Sequence, residues 1–333
     1  MRAGDITRTS LDRLLAAANA LGVRPDTLVS LLPDAGAAPE GRVGLLDYAR
    51  LGQRVIAQSG RGELGLEIAR VTEITHLGFG GLAAMSAPTL GQALALMTRY
   101  EALSVRSYRG HSRWLPQEEK LLFYSVAPYN DFTRFIVDGM LATWSQMIVR
   151  HAGPECLREA RIEFAAPDYH KRYAEFFPCP VYFASDENAL LLARGAAARP
   201  LRGHDPALHA ELVALAEQRL RQQETESLFR QRVQKVLGPL LRGSTPALEQ
   251  VAESLGMASW TLRRKLKDEG TSFQELLDDM RRDLALAYMK DISLSLGEIA
   301  YILGFSTPGA FQRAFKRWTG TTPGEYRRGL RNG

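Results

Sequence analysis

Two segments near the C-terminus constrain the fold more than anything else in this chain, because each is a variant of the other. "QVAESLGMASWTLRRKLK" (250–267) aligns with "EIAYILGFSTPGAFQRAFK" (298–316). In each, an alanine (Ala252, Ala300) stands four residues before a glycine (Gly256, Gly304), and an apolar residue, Met257 or Phe305, follows. After one extra residue in the second copy, Leu262 matches Phe311, Arg264 matches Arg313, Leu266 matches Phe315 and Lys267 matches Lys316. The small alanine lets two helices approach closely, and the glycine can take the positive φ that a Cβ resists. Each copy therefore predicts a short helix, a tight turn and a second helix: a helix-turn-helix unit.

The segment between the copies, "SFQELLDDMRRDLALAYMK" (272–290), has no Gly or Pro, and Leu276, Leu277, Met280, Leu284, Ala287 and Tyr288 recur at helical spacing. Ser272 with Glu275 predicts a capping box at its start. A helix from Phe273 to Lys290 would be roughly 27 Å long. Such a rod can hold two recognition helices about one DNA turn apart, roughly 34 Å, on one face of a duplex.

In the second copy Phe311, Phe315 and Trp318 fall at i, i+4 and i+7, a core stripe that Ile299, Leu303, Phe305 and Tyr326 complete. The opposite face carries Gln312, Arg313, Lys316 and Arg317. On an isolated helix that face would only be solvated. On the second helix of a helix-turn-helix it is the face that enters the major groove. In the first copy Trp260, Arg263 and Arg264 share one side, while Leu262 and Leu266 face inward. Arginine suits guanine O6/N7 and glutamine suits adenine N6/N7, so Thr307, Gln312 and Arg313 are the candidate base readers of the second unit. Trp260 either packs on a thymine methyl or sugar edge, or covers the domain's own surface. Lys267 and Lys316, one turn further on, and Arg317 fit phosphates.

Charge points the same way. From Leu228 onward there are 17 Lys/Arg against 11 Asp/Glu, and the rest of the chain holds 25 against 26. All of the net +5 thus sits in the last third, as expected of a polyanion-binding module joined to a neutral one.

Two helix-turn-helix units joined by one helix, ending "GF…F…FK…G…P…YR", resemble the AraC/XylS family of bacterial transcription regulators. The residues that carry the resemblance are Ile299, Ala300, Gly304, Phe305, Phe311, Arg313, Phe315, Lys316, Gly320, Pro323, Tyr326 and Arg327. It implies that Trp260, Arg263 and Arg264 take base-proximal positions. The chain departs from the family pattern at two places. Ala258 stands where a serine helix cap is common, which shifts the expected cap to Ser259. Gly309, after Pro308, has no side chain with which to read a base.

Residues 1–204 mix patterns. "TSLDRLLAAANALG", "RPDTLVSLLPDAG", "GLLDYARLGQRVIAQSG" and "TLGQALALMTRYEALS" predict helices; "KLLFYSVA", "LREARIEFAAP" and "CPVYFAS" predict strands, the last followed by "ENALLLAR". The class is α+β. "HLGFGGLAAMSAPTLGQALALMTRYEAL" and "APDYHKRYAEFFPCPVYFASDENALLL…PLRGHDPAL" resemble the arabinose-binding-type N-terminal domain of one branch of AraC regulators. That resemblance implies a domain that senses a small organic molecule and dimerises; its name is no argument for a sugar. If the effector is a carboxylate, an arginine among apolar and aromatic groups would hold it. "RYEALSVRSYRGHSRW" concentrates such residues, which makes Arg99, Arg106, Tyr108, Arg109 and Trp114 the effector candidates, against the plainer reading of a solvated basic turn.

Enzymatic and cofactor readings find no support. "GFGG" (78–81) lacks the lysine of a phosphate loop and predicts a tight turn before a helix. His76, His111, His151 and His170 are scattered without ligand spacing, and no serine sits in G-x-S-x-G. Cys156 and Cys179 are too few for a disulfide framework. No stretch is long and apolar enough for a membrane helix, and the N-terminus has no signal-peptide core. The expected organisation is a regulatory domain over 1–204, a connecting helix and linker over 205–227, and a double helix-turn-helix domain over 228–333. The connecting helix could dimerise, relay a signal, or pack on its own domain. The reading is a cytoplasmic, non-enzymatic activator of transcription without cofactor. Its partners are double-stranded DNA, a small organic effector (a carboxylate or an apolar metabolite), RNA polymerase and a second copy of itself. The alternative is a DNA-binding protein whose N-terminal domain only oligomerises or binds a protein.

Overall fold

The computed structural model describes residues 4–30, 32, 41–107, 110–125, 129, 134–202, 204–226, 229–241, 245–289 and 294–331. The chain divides into two compact units, one ending at Gln223 and the other beginning at Glu224.

The first unit opens with β1 (Gly4–Thr7), α1 (Arg8–Ala20), α2 (Pro25–Val29), β2 (Arg42–Gly44), α3 (Leu45–Ser59) and α4 (Leu64–Arg70). It continues with α5 (Gly78–Met85), α6 (Leu90–Ser104), β3 (Val105–Ser107), β4 (Gly110–Leu115), β5 (Lys120–Ser125) and α7 (Arg134–Ala152). Strands β6 (Leu157–Arg161), β7 (Val181–Tyr182) and β8 (Ala189–Leu192) precede α8 (Pro206–Glu226). The class is α+β. A small antiparallel sheet has the order β2-β1-β3, and a larger one the order β4-β5-β8-β6-β7, with only the β6–β7 pair parallel.

Local sequence explains these elements. The Thr7 hydroxyl accepts from Ser10 N and starts α1, whose buried Leu11, Leu14, Leu15 and Ala18 follow the helical period. All four residues of β8, "ALLL", are buried, as its central place in the larger sheet demands. Helix α7 lays Leu141, Trp144 and Ile148 into one core with Leu121, Phe123, Leu157 and Leu190 of that sheet. "GFGG" differs from expectation: it is the first turn of α5 itself, with φ +60 at Gly78. A Cβ on Gly80 would meet Tyr100 Cβ at 2.7 Å, so glycine here is a matter of close packing. Of the three roles open to the connecting helix, packing on its own domain is the one seen. Helix α8 buries Ala216 and Leu220 with Ala83 of α5 and Tyr100 of α6, and Gln223 Nε2 donates to Ala102 O at 2.9 Å.

The second unit is all helical among its described residues: α9 (Phe229–Leu240), α10 (Leu248–Ser254), α11 (Ser259–Asp268), α12 (Phe273–Tyr288), α13 (Leu296–Ile302), α14 (Pro308–Thr319) and α15 (Pro323–Arg331). The Ser272–Glu275 capping box is present at the start of α12, with Glu275 N to Ser272 Oγ at 3.2 Å and Ser272 N to Glu275 Oε2 at 2.7 Å. Helix α12 ends two residues earlier than the sequence pattern predicts, at Tyr288, and Lys290 lies outside the described residues. Helix α11 also departs from expectation. Ala258 is the N-cap residue with no side-chain hydrogen bond, and Ser259 is already inside the helix. A methyl group cannot accept from the first-turn N–H groups, so this helix start lacks the usual cap. No described helix is long and apolar enough to cross a membrane.

Candidate nucleic-acid interface

The two copies of the sequence repeat have one backbone geometry. Helix α10 ends through Gly256 at φ +65, with Gly256 N bonded to Glu253 O and Met257 N to Ala252 O at 3.0 Å. Helix α13 ends through Gly304 at φ +70, with Gly304 N bonded to Tyr301 O and Phe305 N to Ala300 O at 2.9 Å. These are matching Schellman closures, which only a residue tolerant of the left-handed region completes cheaply. In both units the carbonyl that closes the turn belongs to the small alanine of the motif.

Burial on the helix after each turn is two-sided. On α11 Leu262 and Leu266 are fully buried, while Trp260 is 65% exposed and Arg263, Arg264 and Lys267 are exposed. On α14 Phe311 and Phe315 are fully buried, while Gln312, Arg313, Lys316 and Arg317 are exposed. The aromatic stripe is continuous: Phe305 meets Phe311 and Trp318, and Phe315 meets Phe311 and, edge-on, Tyr326. Every base and phosphate candidate named from the sequence therefore lies on the solvent side of its element.

Four of them have local partners. The Arg264 guanidinium lies 5.2 Å from the centre of the Trp260 ring, so tryptophan and arginine form one stacked surface. Thr307 is exposed but is the N-cap of α14, its hydroxyl accepting from Ala310 N at 3.2 Å, which leaves its own proton to donate. Arg317 pairs with Asp278 of α12 at 2.9 Å. A Cβ on Gly309 would sit 3.6 Å from Arg313 Nη1, an ordinary contact, so space alone does not demand glycine there.

Three of the five effector candidates lie among the described residues, each on a different element. Arg99, on α6, is bound to Glu217 of α8. Arg106, on β3, stands in register with Asp5 of β1, 3.9 Å away between side chains. Trp114, on β4, packs half-buried against the core under the larger sheet. Tyr108 and Arg109 lie outside the described residues. Cys156 is buried and Cys179 half-buried: burial pushes the Cys179 thiol up to about 11 and raises Cys156 as well.

An α+β domain joined to two matched helix-turn-helix units is the architecture of a DNA-binding transcription regulator. Comparison with known proteins agrees. Residues 22–201 match the family model described as the arabinose-binding domain of AraC transcription regulators, and residues 251–329 match a helix-turn-helix domain model. A regulator of ornithine utilization from Pseudomonas aeruginosa is 31% identical over 312 residues, spanning 93% of this chain and 89% of its own. A urease operon transcriptional activator from Escherichia coli is 39% identical over 80 residues, 24% of this chain and 27% of its own. Among solved structures, the transcriptional regulator CdpR from Pseudomonas aeruginosa is 22% identical, covering 96% of this chain and 98% of its own with a TM-score of 0.49. The chain belongs to the AraC family of transcription regulators. It is a DNA-binding helix-turn-helix regulator with an arabinose-binding-type N-terminal domain, and not an enzyme.

Proposed function

We propose that this protein activates transcription from a two-part DNA site in response to a small organic effector held by its N-terminal domain. In this reading Trp260, Arg263 and Arg264 read bases in one major groove, Thr307, Gln312 and Arg313 read bases in the next, and Lys267, Lys316 and Arg317 meet phosphates. The observation that carries it is the sidedness of α11 and α14, where arginines are exposed opposite fully buried leucines or phenylalanines after identical turns. The organisation into a regulatory domain (1–204), a connecting segment (205–227) and a DNA-binding domain (228–333) belongs to the same proposal, as do RNA polymerase contact, self-association and a cytoplasmic setting. The urease relative supports activation, and the ornithine relative supports an amino-acid-like effector, which carries the carboxylate that an arginine would recognise. The effector acts only if it favours one arrangement of the domains over another.

Competition binding tests the DNA assignment. Duplexes selected by the full chain from a random pool are challenged with scrambled DNA. Arg263→Ala and Arg313→Ala each lose discrimination by about 1–3 kcal/mol, whereas Lys267→Ala weakens binding to specific and scrambled DNA alike. Arginine variants that keep wild-type discrimination would overturn the assignment. A thermal-shift panel of amino acids and carboxylic acids tests the effector: a compound that raises the melting temperature supports sensing, and a silent panel with a stable dimer supports a domain that only oligomerises.

A further inference from the structure

Arg281 is the buried charge of the second unit: among the described residues there, no other charged side chain is buried, and Arg281 is only 5% exposed. It leaves α12 toward the second helix-turn-helix. Its Nε donates to Leu303 O at 2.8 Å, and its Nη2 donates to Gly304 O at 2.9 Å and to Thr245 Oγ1 at 2.7 Å. Thr245 in turn donates to Gly304 O at 2.8 Å. The guanidinium also lies 4.6 Å from the centre of the Phe305 ring. Leu303 and Gly304 are the residues of the turn between α13 and α14, where the ends of helices leave carbonyls without N–H partners. The single fork thus holds the turn, the apolar residue after it, and the segment that leads into α10.

A buried arginine is a poor device for stability alone, because removing its charge from water costs most of what its contacts return. What it supplies is geometry. A planar fork fixes the directions of its hydrogen bonds, whereas a leucine in its place would pack equally well at several settings. Sliding the turn of the second unit along α12 would break three hydrogen bonds and unstack Phe305. Asp278, one turn earlier on α12, marks a second point of attachment through its ion pair with Arg317 of α14. The first recognition helix is outside this clasp.

We propose that Arg281 is a positioning residue for DNA reading: it sets where α14 stands relative to α12, and thereby the spacing at which the second half of the binding site is recognised. This inference rests on both recognition helices reading bases.

The test uses the full chain and duplexes it selects from a random pool, with methylation protection resolved at each half-site and a series carrying inserted base pairs between the halves. Arg281→Lys keeps the charge and loses the fork. It is expected to hold the first half-site within about twofold while discrimination at the second falls roughly tenfold, the size of one lost bidentate base contact, and the penalty for an inserted base pair shrinks. A folded Arg281→Lys protein that keeps second-site discrimination and the spacing penalty would overturn the proposal, as would equal losses at both half-sites. Thr245→Val, which removes one partner of the fork, should give the same pattern more weakly; no change at the second site counts against the proposal even if Arg281 variants do not fold. Arg313→Ala separates the two layers. If it leaves second-site discrimination intact, the reading of α14 as a base reader fails; if it abolishes discrimination while Arg281→Lys does not, only the positioning role fails.

Discussion

Arg99 holds Glu217 at two points, Nε to Oε1 at 2.5 Å and Nη2 to Oε2 at 3.0 Å, and Tyr100 adds its hydroxyl to the same carboxylate at 2.8 Å. This clasp fastens α8 to α6 across 118 residues of sequence. Hydrogen bonds from Arg99 and Tyr100 hold the Glu217 carboxyl down to about 2, against about 4.3 in an unfolded chain. Its contribution to stability is therefore complete above that unfolded value and is lost as pH falls toward 2. Glu217→Gln should lower the thermal midpoint at pH 7, with the gap to wild type closing below about pH 4. Because the Arg99 side chain is 57% exposed, water screens the pair, and the loss should stay within about 1 kcal/mol.

Asp138 carries the opposite sign. It is fully buried in α7, and burial pushes its carboxyl up to about 7 against the pull of hydroxyls donated by Tyr173 at 2.5 Å and Tyr169 at 2.8 Å and of the Arg134 charge. The folded chain then binds more protons than the unfolded one between about pH 4 and about pH 7, so this group makes stability fall as pH rises through that window and level off above it. Asp138→Asn, whose carbonyl oxygen can still accept from Tyr173 while its amide donates to the Tyr169 hydroxyl, should flatten that slope in denaturation curves taken at pH 5, 6, 7 and 8. Asp138→Leu takes the carboxylate acceptor from the buried Tyr173 hydroxyl and should cost about 1–3 kcal/mol at pH 5; because it also removes the titration, its gap to wild type should shrink as pH rises toward 7.

Helices α4 and α7 touch through glycine. A Cβ on Gly65 would lie 2.2 Å from Phe135 O and 2.6 Å from Asp138 Cβ, closer than any real packing allows. Gly65→Ala must push the helices apart and should cost roughly 1–3 kcal/mol. Gly139 faces the same crossing, but its added Cβ would stand 3.5 Å from Gly65 O, an ordinary contact. Gly139→Ala should therefore be neutral or stabilise by about 0.4–1 kcal/mol. Thermal unfolding of the two variants side by side checks the contrast.

What the sequence made legible follows from how local each feature is. The helix-turn-helix units could be found because alanine, glycine and the following apolar residue fix a turn within six residues, and Gly256 and Gly304 take the left-handed conformation that this spacing predicts. The strands of the small sheet could not, since β2 and β3 are three residues each, too short to show a period of two. The Arg99–Glu217 pair was not legible, because its two residues are 118 positions apart. Arg281 was missed for the same reason, its partners lying 22, 23 and 36 residues away. One signal was readable: Arg281 stands four residues after Leu277 and four before Ala285, on the apolar stripe of α12. A charge on that stripe must find acceptors or leave the helix face.

The phosphate assignments separate by salt. Each cation that neutralises a phosphate contributes about 0.9 to the slope of log affinity against log salt, so Lys267→Ala and Lys316→Ala should each reduce the slope by about that amount. Arg317 is exposed on the same helix as Lys316, but its guanidinium is already 2.9 Å from Asp278. A cation already paired with a carboxylate neutralises less phosphate charge and releases fewer of the cations condensed on DNA, so Arg317→Ala should reduce the slope less than Lys316→Ala does. Asp278→Asn releases Arg317 and should steepen the slope, raising affinity most at low salt, where electrostatic terms are least screened. Titrations of the four variants at several salt concentrations decide the matter. Equal slopes for Arg317→Ala and Lys316→Ala would mean that the Asp278 pair opens on binding, and α12 would then hold α14 in the complex without that second attachment.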